Sequence, residues 1–118
     1  MLDYRLTGGE TFAVAHLDGV VSLEGWQAVL EKLADALVAT AAPRRLVIDM
    51  TAVLGYLGTP ERRAVGALLA RHFNGIEKVA VVVQAHKITD VVSGEAQRNG
   101  LNLQLFPEYD DAVAWVST

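Results

Sequence analysis

The sequence contains no cysteine and no long apolar run. The absence of cysteine excludes disulfide bonds, thiolate catalysis and cysteine-based zinc sites. No segment approaches the roughly 18–20 uninterrupted apolar residues that a membrane-spanning helix requires. Residues 1–5 also lack the basic stretch followed by an apolar stretch that marks a secretory signal. We therefore expect a cytoplasmic protein that does not span a membrane.

Charged residues make up only 20% of the chain, and they leave a net charge of −4. This acidic balance argues against a protein that binds nucleic-acid phosphates. Hydrophobic residues make up 52% of the 118 residues, which is enough to bury a core and is not the composition of a disordered chain. No repeat, low-complexity tract or linker interrupts the sequence, so we expect a single domain over residues 1–118.

The apolar pattern predicts strands and helices in alternation. Strands are indicated by unbroken or alternating apolar runs, and helices by apolar residues three and four apart, as after the capping residue Ser22. Strands are predicted at residues 3–7, 12–17 (ended by a turn at 18–19), 46–48, 79–83 and 101–106, and helices after residue 22 and at residues 60–72, 87–98 and 109–116. Strands that are separated by helices run parallel. The order β-β-α-β-α-β-α-β-α therefore predicts an α/β sandwich with a mixed, mostly parallel sheet.

The segment from Leu46 to Val65 contains the predicted binding region. Its branched aliphatic run, residues 46–48, is typical of a strand covered on both faces, and Asp49 stands at the predicted end of that strand. A loop at residues 55–58 leads to Thr59-Pro60-Glu61, which has the chemistry of a helix start with Thr59 as N-cap. Ligands and partners of α/β domains bind beyond the carboxyl ends of central strands. We therefore expect the functional site at this loop.

Thr59 has two interpretations that the sequence leaves open. As a phosphoacceptor or partner contact it would lie at a helix N-terminus, where the free N–H groups and the helix dipole favour added negative charge. As a plain N-cap its hydroxyl would satisfy one of those N–H groups. The proline and glutamate that follow fit the capping role without any modification.

Apolar residues are concentrated in two predicted loops that the fold brings to one edge of the sheet: Val20, Val21, Leu54, Tyr56 and Leu57. Loops are usually polar, so an exposed cluster there would indicate a partner surface or the mouth of a ligand pocket. The alternative is that these side chains fold under and plug the end of the sheet.

Polar side chains near the same edge form no catalytic motif. Asp49, Thr59, His86 and Lys87 lie at or after predicted strand ends, where catalytic groups gather in α/β sheets. The sequence has no nucleophile elbow, no glycine-rich phosphate loop and no paired carboxylates at a readable spacing. Since a fold alone warrants no chemistry, we expect no enzyme activity and no cofactor.

The remaining cationic and imidazole side chains also lack a ligand pattern. The histidines are scattered without the spacing of metal ligands: His16, His72 and His86. We therefore expect no metal site. Three arginines of the predicted second helix are interpreted as part of a solvated face: Arg62, Arg63 and Arg71.

Three blocks carry a resemblance to a known family: residues 46–49 with the loop into Thr59, the block from His72 to Val82, and the closing Phe106…Ala112-Val113-Ala114-Trp115-Val116. With the order of elements, they resemble the STAS-type fold of bacterial anti-sigma-factor antagonists. The match is closer to the SpoIIAA-like family of small proteins and extends over nearly the whole chain. The resemblance implies a STAS/SpoIIAA-like sandwich and a function based on binding.

In the antagonist branch, the loop after this strand carries an Asp-Ser-Ser-Gly type motif whose serine is phosphorylated by a partner kinase. The corresponding positions here read Leu57-Gly58-Thr59-Pro60, without the acid and with one threonine in place of the serines. Similarity of the SpoIIAA-like branch to Sec14-type domains also implies binding of a lipid or small apolar ligand.

These features predict a non-catalytic regulatory or interaction domain. It would dock a protein partner or a second copy of itself through the edge formed by loops 18–23 and 54–63. The predicted binding residues are Val20, Leu54, Tyr56, Leu57 and Thr59, with Thr59 as candidate phosphoacceptor. The alternative is a carrier of a small apolar or lipid-like ligand lined by the four apolar residues of that set. The third hypothesis is an enzyme that uses Asp49 and His86.

Overall fold

The computed structural model describes residues 2–39 and 43–118. Within these ranges the strands are β1 (Asp3–Gly8), β2 (Ala13–Val20), β3 (Arg45–Leu54), β4 (Lys78–Val82) and β5 (Leu103–Phe106). The helices are α1 (Leu23–Ala39), α2 (Thr59–His72), α3 (Asp90–Arg98) and α4 (Tyr109–Val116), with one 3₁₀ turn at Ala85–Lys87. The predicted α/β order is confirmed.

The strands form one mixed sheet in the order β1-β2-β3-β4-β5. β1 pairs antiparallel with β2, and every later neighbour pairs parallel. The helices α1, α2 and α3 pack on one face of the sheet, and α4 packs on the other. Strands that are successive in the chain are therefore neighbours in the sheet.

The central strand β3 contributes to a core on each face of the sheet. Leu46 and Ile48 are fully buried beneath α1, α2 and α3, whereas Val47 is fully buried beneath α4. Successive side chains of a strand point to opposite faces, so an unbroken aliphatic run satisfies both cores. Burial of each such side chain contributes about 1.5–3 kcal/mol.

Two cations hold α4 on its face of the sheet. The Arg45 Nη1 group donates to the carbonyl of Val116 at 2.7 Å, and the Lys78 Nζ group donates to the carbonyl of Trp115 at 3.1 Å. Lys78 also lies over the Trp115 ring, 5.2 Å from its centre. Positive charge at the carboxyl end of a helix complements the helix dipole, so these bonds fasten the short α4 to β3 and β4.

The predicted ends of two strands were wrong. β2 passes through the expected turn at residues 18–19 and ends at Val20, and β3 continues beyond Asp49 to Leu54. An irregularity in the β2–β3 ladder between His16 and Asp18 absorbs the turn residues, and the pairing then resumes to its last pair, Val20 and Leu54. Asp49 consequently lies in the middle of a strand.

Of the predicted helix starts, that of α1 is confirmed and that of α3 is shifted by three residues. The side chain of Ser22 caps α1 as predicted, because its Oγ accepts from the Gly25 amide at 2.9 Å. The third helix was predicted to begin near Lys87, but α3 begins at Asp90 after the 3₁₀ turn. The hydroxyl of Thr89 accepts from the Val91 amide at 3.4 Å and caps α3 there.

Candidate functional site

Three apolar side chains are exposed where β2 and β3 end, at the carboxyl edge of the sheet. Val20 is 55% exposed, Leu54 is 66% exposed and Tyr56 is 65% exposed. The Val21 amide donates to the Leu54 carbonyl at 2.8 Å, which keeps the two strand ends together. We call Val20, Leu54 and Tyr56 the apolar patch. These three side chains are exposed and do not fold under the end of the sheet. Val20 and Leu54 are strand residues rather than the predicted loop residues.

The other two apolar residues of the predicted cluster turn inward. Val21 and Leu57 are half-buried and pack against the larger core. Gly55, with φ of +104°, makes this turn possible, because a Cβ at that position would lie 3.1 Å from Val21 Cγ1. The predicted cluster is thus divided between an exposed patch and a set of side chains that cover the core.

Behind the patch lies a cavity of about 90 Å³ between the sheet and the helices α1, α2 and α3. Its walls are apolar side chains from the sheet and the helices: Trp26, Met50, Val53, Val65, Leu69, Val81, Val83, Val92 and Leu105. Of the four residues that the carrier hypothesis names, Tyr56 and Leu57 also line it. Val20 and Leu54 do not, because the β2–β3 pairing carries them outward to the edge.

Three polar side chains complete the lining of the cavity. The guanidinium of Arg62 lies 5.0 Å from the centre of the Tyr56 ring. Lys87 Nζ donates to the Val53 carbonyl at 3.3 Å, and Gln84 Nε2 donates to the Thr51 carbonyl at 2.9 Å. Of the three arginines interpreted as part of a solvated face, Arg62 is half-buried beside Tyr56. Arg63 and Arg71 on the same helix are exposed.

Thr59 is not the N-cap of α2. That position is taken by Gly58, whose φ of −72° and ψ of 171° are extended, and Thr59 is the first helical residue. The Glu61 carboxylate folds back toward Gly58, where an added Cβ would lie 3.1 Å from its Oε2 atom. A glycine is well tolerated at an N-cap. The Thr59 side chain is therefore exposed and is not occupied in capping this helix.

A hydrogen-bonded acid lies on the opposite face of the sheet. Asp49 and His16 are register partners in the β3–β2 ladder, and the His16 Nδ1 atom is 3.1 Å from Asp49 Oδ2. Asp49 Oδ1 accepts from the Thr51 amide at 3.0 Å and from the Thr51 hydroxyl at 2.8 Å. Partial burial raises the pKa of Asp49, but the bonds from Thr51 and His16 outweigh it, and the net pKa is lowered.

This arrangement contradicts the pairing of Asp49 with His86. His86 is exposed in the 3₁₀ turn after β4, while the Asp49 carboxylate is occupied by His16 and Thr51. His16 was missed as a partner because it stands far from Asp49 in sequence. Parallel pairing of the two predicted strands was the only signal that could have brought them together.

The described part of the chain holds neither a metal-binding cluster nor a helix that could cross a membrane. Residues 2–39 and 43–118 hold no group of three or more histidine or acidic side chains placed to bind a metal ion. Within the same ranges, no helix combines the length and apolar character needed to cross a membrane.

Comparison with known proteins identifies one matching family and the same fold in solved structures. The SpoIIAA-like family matches residues 12–117. An anti-sigma factor antagonist from Mycobacterium paratuberculosis superimposes with a TM-score of 0.68 and 23% identity over 100% of this chain and 96% of that chain. An uncharacterised DUF3478-family protein with a SpoIIAA-like fold, from Shewanella loihica PV-4, gives a TM-score of 0.59 and 16% identity over 98% and 93%. Curated proteins give no match.

Proposed function

The chain belongs to the SpoIIAA-like family, and on that premise we propose that it is a non-catalytic regulatory domain that docks a protein partner. The docking surface would be the edge formed by residues 18–23 and 54–63. A similar fold occurs in a protein described as an anti-sigma factor antagonist, which supports regulation through protein contact. At these identities the structural similarity itself extends to the fold alone.

The apolar patch is the observation that supports this surface most strongly. Val20, Leu54 and Tyr56 expose more than half of their side-chain surface at one edge of the sheet. When a partner covers exposed apolar groups, the free energy of the complex is lowered by about 25 cal/mol for each Å² of apolar surface buried. Arg62 beside Tyr56 places a cation within the same edge, as is common at the centre of protein interfaces.

Leu54→Asp is the sharpest test, because Leu54 is exposed and lies outside the cavity and the core. Leu57 is a poorer choice, since it packs against the core. We expect Leu54→Asp to lower partner capture from a lysate of the native host by about tenfold or more. A charge buried in the docked apolar surface should weaken the binding free energy by at least about 1.4 kcal/mol.

The matched control is Val38→Asp. Val38 is 82% exposed near the end of α1, at the opposite edge of the sheet, so the same charge is introduced away from the docking surface. Captured proteins are quantified by mass spectrometry, and circular dichroism checks that both variants are folded. Equal capture by both variants would show that this edge is not the docking surface.

Thr59 is the candidate phosphoacceptor of this surface. Its exposed position in the first turn of α2 supports the assignment, because a phosphate there would meet free backbone N–H groups. Mass spectrometry of protein purified gently from its own host tests it. A phosphate mapped to Thr59 would support a phosphorylation switch. Unmodified Thr59, in cells grown under several conditions, would leave docking without one.

The second candidate function is a carrier of a small apolar ligand. The apolar cavity behind the patch is the observation that favours it. A ligand that binds only the folded state raises the melting temperature by mass action. A thermal-shift panel of apolar and lipid-like compounds is the test, and absence of any shift would count against a carrier.

A further inference from the structure

We infer that the cavity is a site for a small organic anion, a molecule with one acidic head and a short apolar body. This inference rests on the second candidate function, in which the cavity holds a ligand, and it does not depend on protein docking. It adds the charge of the ligand, which follows from two side chains that line the cavity, and its size, which follows from the cavity volume.

The charge follows from two cations that lack acidic partners. Arg62 and Lys87 both line the cavity. Within residues 2–39 and 43–118, the ion pairs are His16–Asp49, Arg45–Glu77 and Arg98–Glu95, so no described carboxylate forms an ion pair with Arg62 or Lys87. Two positive groups beside an apolar cavity create a local potential that favours an anion.

The geometry leaves both cations with unused donors. Arg62 is half-buried, and its guanidinium lies over the Tyr56 ring, 5.0 Å from the ring centre. The guanidinium makes no hydrogen bond to the described residues, so its N–H groups remain free to donate to a ligand. Lys87 has one protein acceptor, the Val53 carbonyl at 3.3 Å, so further protons on its Nζ atom remain for a ligand. A carboxylate would accept charge-assisted hydrogen bonds from either group.

The size follows from the volume of the cavity. A volume of 90 Å³ holds roughly six to nine water-sized groups, at 10–15 Å³ each. A benzoate or a hexanoate ion has this size. A long fatty acyl chain would extend beyond the walls of the cavity, so we expect hexanoate to gain more affinity for each carbon atom than a longer acid does.

Titration of the full chain with three six-carbon probes tests the charge. Hexanoate, hexanol and hexylamine share one apolar body and differ in the head group, and heteronuclear NMR reports the dissociation constant of each at neutral pH. We expect hexanoate to bind about tenfold more tightly than hexanol, because a hydrogen bond to a charged group contributes at least about tenfold in affinity. Hexylamine should bind most weakly.

The outcomes separate this inference from the function on which it rests. Equal binding of hexanoate and hexanol would overturn the anionic ligand and leave an apolar carrier standing. Failure of all three probes to bind would overturn both. Dodecanoate that gains as much affinity for each carbon atom as hexanoate does would overturn the size limit.

Arg62→Met and Lys87→Met test the two cations individually. Each keeps an apolar stem and removes the charge, so hexanoate affinity should fall about tenfold in Arg62→Met while hexanol affinity is unchanged. Arg63→Met is the matched control, because Arg63 is exposed and does not line the cavity. Retained hexanol binding shows that the cavity is intact in each variant. If hexanoate affinity is unchanged in both Arg62→Met and Lys87→Met, the inference is wrong.

Discussion

Asp49 is a partly buried carboxylate on the sheet face opposite the cavity, and its ionisation is coupled to folding. Thr51 and His16 stabilise the ionised form and lower the pKa of Asp49 below its ordinary value of 3.8, although burial alone would raise it. A carboxyl group whose pKa is lower in the folded state stabilises the fold above its ordinary pKa. That contribution is lost as the pH falls through the lowered value.

Asp49→Asn should therefore destabilise the protein at pH 7 by about 1–2 kcal/mol. The hydrogen bonds from Thr51 and His16 would then meet a neutral amide instead of a charged carboxylate. The difference from the native protein should begin to shrink as the pH falls below 3.8, where the carboxyl group of the unfolded chain takes up a proton. It should be lost once the pH also falls below the lowered pKa of the folded protein. Urea unfolding followed by circular dichroism measures both free energies. Asp35→Asn, on the exposed side of α1, is the control. A difference that stays constant with pH would show that ionisation of Asp49 is not coupled to folding.

Some residues of the edge could be predicted from the sequence and others could not. Val20, Leu54 and Tyr56 are predicted binding residues because apolar residues are unusual in loops and the predicted fold brings these loops to one edge of the sheet. Arg62 and His16 were not identified as site residues, since neither has an informative neighbour in sequence. Their roles depend on a ring contributed by Tyr56 and on a strand pairing with Asp49.

At the scale of elements, α2 and α3 approach each other at a glycine. A Cβ on Gly66 would lie 2.6 Å from the Val92 carbonyl oxygen and 2.8 Å from Glu95 Cβ. Both distances are too short for real contacts, so only glycine permits this spacing of the helices. The same two helices contribute Val65, Leu69 and Val92 to the cavity wall, so the close approach also determines the shape of the cavity.

Gly66→Ala should lower the free energy of unfolding by about 1–3 kcal/mol, since the added methyl group forces two helices apart. Gly94→Ala in α3 is the matched control. A Cβ there meets only Arg98 Nη1, at 3.7 Å, and alanine is the better helix former by about 1 kcal/mol. Thermal or urea unfolding compares the two variants. Equal effects would show that helix propensity, and not the α2–α3 contact, determines the result.

Element order was predictable because buried parallel strands and amphipathic helices carry distinct periodicities. Element ends were harder to predict. The turn residues Asp18-Gly19 are accommodated inside β2, and Gly58 rather than Thr59 caps α2. At Asp18-Gly19 the hydrogen-bonded pairing with β3 overrides the turn preference of the two residues.

At the scale of the whole molecule, the sheet separates two unequal cores. The larger lies under α1, α2 and α3, and the smaller is covered by α4 alone among the described helices. The cover of the smaller core depends on Arg45 and Lys78, which bind the last carbonyls of α4. Arg45 also lies 3.5 Å from the Glu77 carboxylate, which fixes its side chain beneath the helix.

Arg45→Met should loosen α4 and lower the free energy of unfolding by about 1–2 kcal/mol, because the Val116 carbonyl loses a charged donor. Native-state hydrogen exchange should show faster exchange of the amides of α4, with smaller changes in α1 and α2. Arg63→Met, which removes an exposed charge, serves as the control. If α4 exchanges no faster than in the control, Arg45 does not hold it.

Composition and periodicity by themselves determined the class of fold, the order of its elements and the edge of the sheet at which binding is proposed. These follow from local rules, because an apolar run or a helical stripe is readable from neighbouring residues. Tertiary structure alone decided that Asp49 faces His16, that Arg62 lies over the Tyr56 ring and that Leu57 lines a cavity while Leu54 is exposed. The physical reason is that strand register and helix packing join residues distant in sequence, and no local pattern records which side chains will meet.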